Sequence, residues 1–198
     1  MVSKKQQVGF LGGTFDPIHI GHLQLALEAK ERFSFDEILM CPTYVSPFKM
    51  EERACASPED RLKMVSLAIE GIEGFAVCDY EIAEKKVSYT IDTIRFLKKT
   101  YSEKEYYLIL GEDHFRSFFK WKEAEELMRL APLRIGSREG FAESGPFSIP
   151  RESFFKIHNL EISSTYLRGV IASKRYCKHL IPPKVVDYIH RHRLYSGS

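Results

Sequence analysis

No stretch of the chain is apolar for long enough to cross a bilayer. The first seven residues, Met1 to Gln7, are polar and the apolar run behind them is short, so they do not read as a secretory signal. Cysteine is scarce. The four residues Cys41, Cys55, Cys78 and Cys177 show no C-x-x-C spacing, which argues against a zinc site or a disulfide framework and fits a cytoplasmic protein. Neither sign of charge dominates: 29 Lys and Arg against 27 Asp and Glu leave a net charge of +2. That balance gives no ground for a nucleic-acid partner, and nothing in the chain suggests a membrane partner. Internal repeats and low-complexity tracts are absent as well.

What is present is an ordinary globular composition, 44% hydrophobic and 28% charged over 198 residues. That length suits one domain, 1–198, able to bury a core, with a small C-terminal part from 162 to 198. The charge is uneven. From Arg151 onward there are nine Lys or Arg against three Asp or Glu, an excess of six. This is either a solvated basic surface or a positive wall facing polyphosphate.

The densest stretch is Gly12-Gly13-Thr14-Phe15-Asp16-Pro17-Ile18-His19-Ile20-Gly21-His22. An apolar run, Val8 to Leu11, precedes it and a helical run, Leu23 to Phe33, follows it. Strand, glycine turn and helix together present backbone N–H groups and a helix N-terminus to an anion. Gly12 and Gly13 let a ligand approach the backbone, while Thr14 and Phe15 continue the turn that Asp16-Pro17 stiffens. His19 and His22 are three apart, so on a helix they share a face and reach one phosphate. The stretch is not a Walker A loop, since no Gly-Lys-Ser/Thr follows, nor a G-x-G-x-x-G fingerprint.

Downstream, Glu37 to Cys41 reads as a second strand, making a βαβ unit and a mainly parallel sheet. The loop Pro42 to Ala56 leaves a strand's carboxyl end and brings Lys49 opposite the Gly-Gly turn, as a phosphate contact. Ser57-Pro58-Glu59-Asp60 starts a helix, with Leu62, Val65, Leu67 and Ile69 on its buried side. Phe75 to Ile82 reads as a strand. Ser88-Tyr89-Thr90 opens a helix with Thr90 as N-cap and Ile91, Ile94 and Leu97 inward. Tyr106 to Leu110 is a buried strand ending at Gly111-Glu112-Asp113. There Gly111 allows close approach, and Asp113 either accepts from ribose hydroxyls or caps a helix. Trp121, the single tryptophan, precedes a helix over 123–130 and keeps an edge exposed between Lys120 and Lys122. Leu133 to Ile135 and Phe154 to Ile157 read as strands, separated by a loop from Gly136 to Pro150 that contains Arg138. In Ile162-Ser163-Ser164-Thr165-Tyr166-Leu167-Arg168 three hydroxyl residues open a helix. They either cap it or hold a phosphate with the forked guanidinium of Arg168 one turn along. Pro182-Pro183 starts a last helix, through Val185, Tyr188 and Ile189 to Leu194-Tyr195.

On these residues the chain resembles the bacterial nicotinate-mononucleotide adenylyltransferases of the nucleotidyltransferase superfamily. The resemblance runs nearly end to end. It rests on Gly12 to His22 with its T/H-x-G-H pattern, the loop ending at Lys49, Ser57 to Leu62, Ser88-Tyr89-Thr90 and Gly111-x-Asp113. Trp121, Ile162 to Thr165 with Arg168, and the closing Leu180-Ile181-Pro182 and Tyr188-Ile189 complete it. Phe48 stands where the family often has His, and the segment around Arg138 lacks its usual Pro. The resemblance implies a Rossmann-like α/β fold: an open, mainly parallel sheet with helices on both faces and a small C-terminal helical part. It implies adenylyl transfer from ATP to nicotinate mononucleotide, giving nicotinic acid adenine dinucleotide and pyrophosphate on the route to NAD. His19, His22, Lys49 and Arg168 would be catalytic. Gly12, Gly13, Thr14, Phe15, Gly111, Asp113, Ile162, Ser163, Ser164 and Thr165 would hold ATP. Ser88, Tyr89, Thr90, Trp121 and Arg138 would hold the acceptor. Mg²⁺ would ride on the ATP phosphates, because no carboxylate cluster is evident to hold it. Homo-oligomerisation stays open.

Three rivals share parts of this pattern. An adenylyltransferase for nicotinamide mononucleotide or phosphopantetheine uses the same phosphate motifs, but length and Trp121 speak against phosphopantetheine. A class I aminoacyl-tRNA synthetase shares His19-Ile20-Gly21-His22 but needs a longer chain and a Lys-Met-Ser-Lys-Ser loop. A non-catalytic nucleotide-binding module would not need both histidines.

Overall fold

The computed structural model describes residues 5–47, 54–137, 149–158 and 162–196. Six strands form one parallel sheet: β1 (Gln6–Gly13), β2 (Glu37–Pro42), β3 (Phe75–Val77), β4 (Lys104–Gly111), β5 (Leu133–Ser137) and β6 (Phe154–Lys156). Their order is β3-β2-β1-β4-β5-β6. Eight α-helices are described: α1 (Ile20–Phe33), α2 (Pro58–Ile69), α3 (Tyr80–Glu84), α4 (Thr90–Thr100), α5 (Glu112–Ser117), α6 (Ala124–Leu130), α7 (Ser164–Ala172) and α8 (Pro183–Arg191).

Alternation along the strands sends successive side chains to opposite faces. Val8 and Phe10 of β1 and Tyr106, Leu108 and Leu110 of β4 join one apolar cluster with Ile91, Ile94 and Leu97 of α4 and Leu127 of α6. Leu11, Ile38, Met40 and Ile109 join the other, with Leu23 and Ala26 of α1, Met64 and Val65 of α2, Leu167 of α7, and Val185 and Ile189 of α8. The helices therefore cover both faces of the sheet. Strand order reverses between β1 and β4, and in open parallel sheets a crevice opens at the carboxyl ends of such a pair.

Several sequence expectations shift at element ends. Gly12 and Gly13 are the last residues of β1, so the turn proper falls on Thr14 to Pro17. The strand expected over 75–82 stops at Val77, and α3 follows. β3 pairs with β2 alone, and that partner supports it only through Met40, after which Glu81 and Ile82 turn inward on a helix. On α2 the buried side is Arg61, Met64, Val65, Ala68 and Ile69, whereas Leu62 and Leu67 are half-buried. The N-cap of α4 is Tyr89, and Thr90 is its first helical residue. β5 runs on through Gly136 to Ser137, and α8 ends at Arg191, before Leu194-Tyr195.

Candidate active site

One cavity of about 950 Å³ opens at the carboxyl ends of β1 and β4. Its walls bring together Gly12, Gly13, Thr14, Phe15, His19 and His22 from the first motif and Gly111 and Asp113 from the end of β4. They add Ser88, Tyr89 and Thr90 at the start of α4, then Trp121, and Ile162 to Thr165 at the start of α7. Residues as far as 153 positions apart in sequence, Gly12 and Thr165, thus meet one space because the carboxyl ends of β1 and β4 and the starts of α4 and α7 converge there.

The two histidines are arranged by the entry of α1. His19 is the N-cap and His22 the third helical residue, so they are not two residues on one continuous face. Their rings stack, with centroids 3.7 Å apart and planes 28° off parallel. The His22 Nδ1 accepts from the His19 backbone N–H at 3.2 Å. An accepting Nδ1 leaves the proton of the neutral ring on Nε2, as a donor. Gly21 makes room for the stack, since a Cβ there would lie 3.1 Å from His19 Nδ1. Burial lowers the His19 pKa to about 4. Burial, then His19 and His114, hold His22 well below its ordinary value. Two neutral imidazoles therefore face the cavity near pH 7.

Phe15 adopts φ 49°, the left-handed region that a bulky side chain seldom takes. Its ring is 2% exposed and meets His22 edge-on, 5.0 Å between centroids. The turn is fixed from below by two charged residues. Arg61, 1% exposed, donates Nη1 to the carbonyls of Thr14 at 2.8 Å and Thr43 at 2.6 Å, and Nη2 to that of Tyr44 at 3.0 Å. Asp16 accepts the backbone N–H of Cys55 at 2.7 Å and of Ala56 at 3.1 Å, and the Tyr195 hydroxyl at 2.7 Å. These two side chains tie the loops after β1 and β2 to the start of α2.

The hydroxyls opening α7 serve the protein first. Ser163 caps the helix, accepting from Tyr166 N–H at 3.1 Å. Ser164 donates to the Pro17 carbonyl at 3.0 Å, and Thr165 accepts from Arg168 Nη2 at 3.2 Å. Arg168 itself does not line the cavity. Its Nη1 donates to the Asp16 carbonyl at 2.8 Å and lies 3.7 Å from the Asp16 carboxylate. At the far wall Ser88 Oγ accepts from Tyr44 N–H at 2.9 Å, which holds the start of α4 against the loop after β2. Trp121 is half-buried and packs on Phe118, centroids 5.3 Å apart.

Lys49 and Arg138 lie outside the described residues. The sequence reading passed over Glu81, which lines the cavity, is 4% exposed and accepts from Thr93 Oγ1 at 2.7 Å. Burial raises its pKa. It also passed over His114, Arg116 and Lys120, which add basic groups to the wall. Their two-and-four spacing after Asp113 carries no motif, so only the cavity brings them in. Among the described residues no group of three or more His, Cys, Asp or Glu side chains could hold a metal ion. No described helix is long and apolar enough to cross a membrane.

The cytidylyltransferase-like family model matches residues 10–170. A protein of Aquifex aeolicus named "Probable nicotinate-nucleotide adenylyltransferase" is 42% identical over 164 residues, covering 78% of this chain and 96% of its own. One of the same name from Synechococcus sp. is 40% identical over 199 residues, covering 97% and 96%. Among solved structures, the Plasmodium falciparum nicotinic acid mononucleotide adenylyltransferase complexed with NaAD superposes with a TM-score of 0.73. It shares 20% identity and covers 98% of both chains, a likeness of fold.

Proposed function

This chain belongs to the nicotinate-nucleotide adenylyltransferases of the cytidylyltransferase-like family, and we propose that it joins ATP to nicotinate mononucleotide. An oxygen of the acceptor's 5′-phosphate attacks the α-phosphorus of ATP. The new O–Pα bond forms as the bond from Pα to the bridging oxygen of the β-phosphate breaks. Nicotinic acid adenine dinucleotide and pyrophosphate leave, so the reaction supplies NAD biosynthesis. The cysteine pattern agrees with a cytoplasmic setting. The observation that carries the reading is the stacked His19–His22 pair, sharing one cavity with Trp121 and the start of α4.

The chemistry asks little of a general base. A phosphate monoester has its second pKa at about 6, so the nucleophile is already largely dianionic near neutral pH. The barrier lies in bringing two polyanions together in line and in stabilising charge on the departing pyrophosphate. Donors answer that need: the backbone from Gly13 to Phe15, the Nε2–H of His22, His19, and the start of α7 at Ser164 and Thr165. Arg168, beside Thr165, is assigned to the triphosphate, and Lys49 to the same charge. Gly111 lets the nucleotide approach β4, where Asp113 takes the ribose hydroxyls. Mg²⁺, when bound, would neutralise charge on the triphosphate, and would be held by the nucleotide rather than by a cluster of described side chains.

The acceptor end has its own physics. The pyridinium of a nicotinate nucleotide is cationic, and an indole face is the strongest aromatic partner for a cation, worth about 0.5–2 kcal/mol. Trp121 takes that ring. Its carboxylate takes the N-terminus of α4, where Tyr89 and Thr90 line the cavity. Mass analysis of a reaction containing ATP, Mg²⁺ and nicotinate mononucleotide tests the reading. Formation of the deamido dinucleotide with equimolar pyrophosphate is the expected result. ATP consumed only to ADP, or no dinucleotide, overturns it.

A further inference from the structure

The closing Leu194-Tyr195 lies beyond α8 and outside the cavity, yet its hydroxyl reaches the first motif. Tyr195 adopts φ 59°, an unfavourable backbone for a bulky residue, and packs against the core that α2 and α8 share. From there it donates to Asp16 Oδ1 at 2.7 Å. The Asp16 carboxylate is thereby held by three neutral donors: Tyr195 Oη, Cys55 N–H and Ala56 N–H. Tyr195 and Ala56 both fill Oδ1, Oδ2 takes Cys55 alone, and Arg168 Nη1 stands 3.7 Å from Oδ2, an ion pair too long for a hydrogen bond. Its firm contacts are the Asp16 carbonyl at 2.8 Å and Thr165 Oγ1 at 3.2 Å.

We propose that Tyr195 is a positioning residue for Arg168, acting through Asp16. By filling a carboxylate oxygen with a neutral donor, the phenol keeps Asp16 from closing on the guanidinium, so Arg168 stays available to phosphate beside Thr165. Without the hydroxyl, Oδ1 loses its shortest donor, so both carboxylate oxygens can turn to Arg168, the one cation within 4 Å of the carboxylate among the described residues. A charge-assisted, bidentate pair would then hold the guanidinium away from ATP. The sequence places Tyr195 thirty positions after Thr165 and offers no hint of this link.

The inference rests on the assignment of Arg168 to the triphosphate, and a double-mutant cycle separates the two claims. Tyr195→Phe keeps the ring and removes one oxygen, and thermal melting reports whether the variant is folded. The expected result is a KM for ATP raised by about fivefold, with the acceptor KM and the melting profile little changed. In an Arg168→Ala background the same change should move the ATP KM by less than about twofold, because its target is gone. An unchanged ATP KM in Tyr195→Phe, with Arg168→Ala strongly impaired, overturns the role of Tyr195 alone. A Tyr195→Phe effect of equal size in both backgrounds makes it merely structural and also overturns it. Arg168→Ala with normal ATP use overturns both claims.

Discussion

At the scale of single residues, the two histidines proposed to clamp phosphate were legible in the sequence as a pair three apart. Their geometry was not. Spacing implies a shared helical face, but His19 stands at the N-cap, and only the ring stack joins it to His22. Removing a donor that acts on transition-state charge costs about 2.7–4 kcal/mol. His22→Ala and His19→Ala should therefore each lower turnover by about a hundredfold or more while the protein still folds. A folded His22→Ala protein with near-normal turnover would remove the phosphate clamp. Burial also makes the histidines sensors of acid. His19 falls from an ordinary 6.5 to about 4 on folding. Between those values the unfolded chain binds more protons, so stability is complete above pH 6.5 and is lost as pH drops toward 4. The full loss amounts to about 3 kcal/mol for a shift of this size. Denaturant midpoints measured from pH 7 to pH 5 should fall less steeply in His19→Asn than in the wild type, and equal slopes would count against a buried neutral ring.

Among elements, α2 shows where sequence patterning misleads. Choosing apolar residues picks Leu62 and Leu67, but the buried stripe is 61, 64, 65, 68 and 69, which is the helical period with an arginine at its head. Arginine reads as surface, so its place in that stripe was the one available signal. The reason it can be buried is that three backbone carbonyls from two separate segments converge on it, at Thr14 and at Thr43 and Tyr44. Those segments are the turns that shape the cavity floor. Arg61→Leu strands these carbonyls and should destabilise the fold by about 3 kcal/mol or more, since buried polar groups left unpaired cost about 1–3 kcal/mol each. Arg61→Lys keeps the charge but loses the fork, and should recover only part of the melting temperature. A melting temperature unmoved in both variants would mean that the loops hold themselves.

For the whole molecule, the parallel sheet and its βαβ connections follow from apolar runs alternating with helical periods, and that much was legible. The edge strands were read too, β6 to within one residue, but the end of β3 was not: three residues are too few for a period to fix a boundary. The convergence of distant segments on one cavity is likewise a property of strand order, which local patterning does not encode. His114, Arg116, Lys120 and Glu81 join the wall for that reason alone. Trp121, half-buried on Phe118, lines the cavity and is proposed as the acceptor wall. Trp121→Ala should therefore raise the KM of both nicotinate and nicotinamide mononucleotides and leave ATP binding nearly intact, as read by calorimetry with a non-hydrolysable ATP analogue. A matching loss of ATP affinity would move the tryptophan to the wrong end of the cavity.

The central claim is that this cavity activates ATP toward a carboxylate-bearing pyridine nucleotide. Pyrophosphate release from Mg²⁺-ATP, followed side by side with nicotinate mononucleotide, nicotinamide mononucleotide and phosphopantetheine, tests it most directly. In the proposed acceptor site, donors at the start of α4 would pair with the acid's carboxylate but leave the amide's own donors unmet. The expected kcat/KM for the acid is at least about tenfold above that for the amide, or about 1.4 kcal/mol, with no turnover on phosphopantetheine. Equal use of acid and amide, or preference for phosphopantetheine, would contradict it.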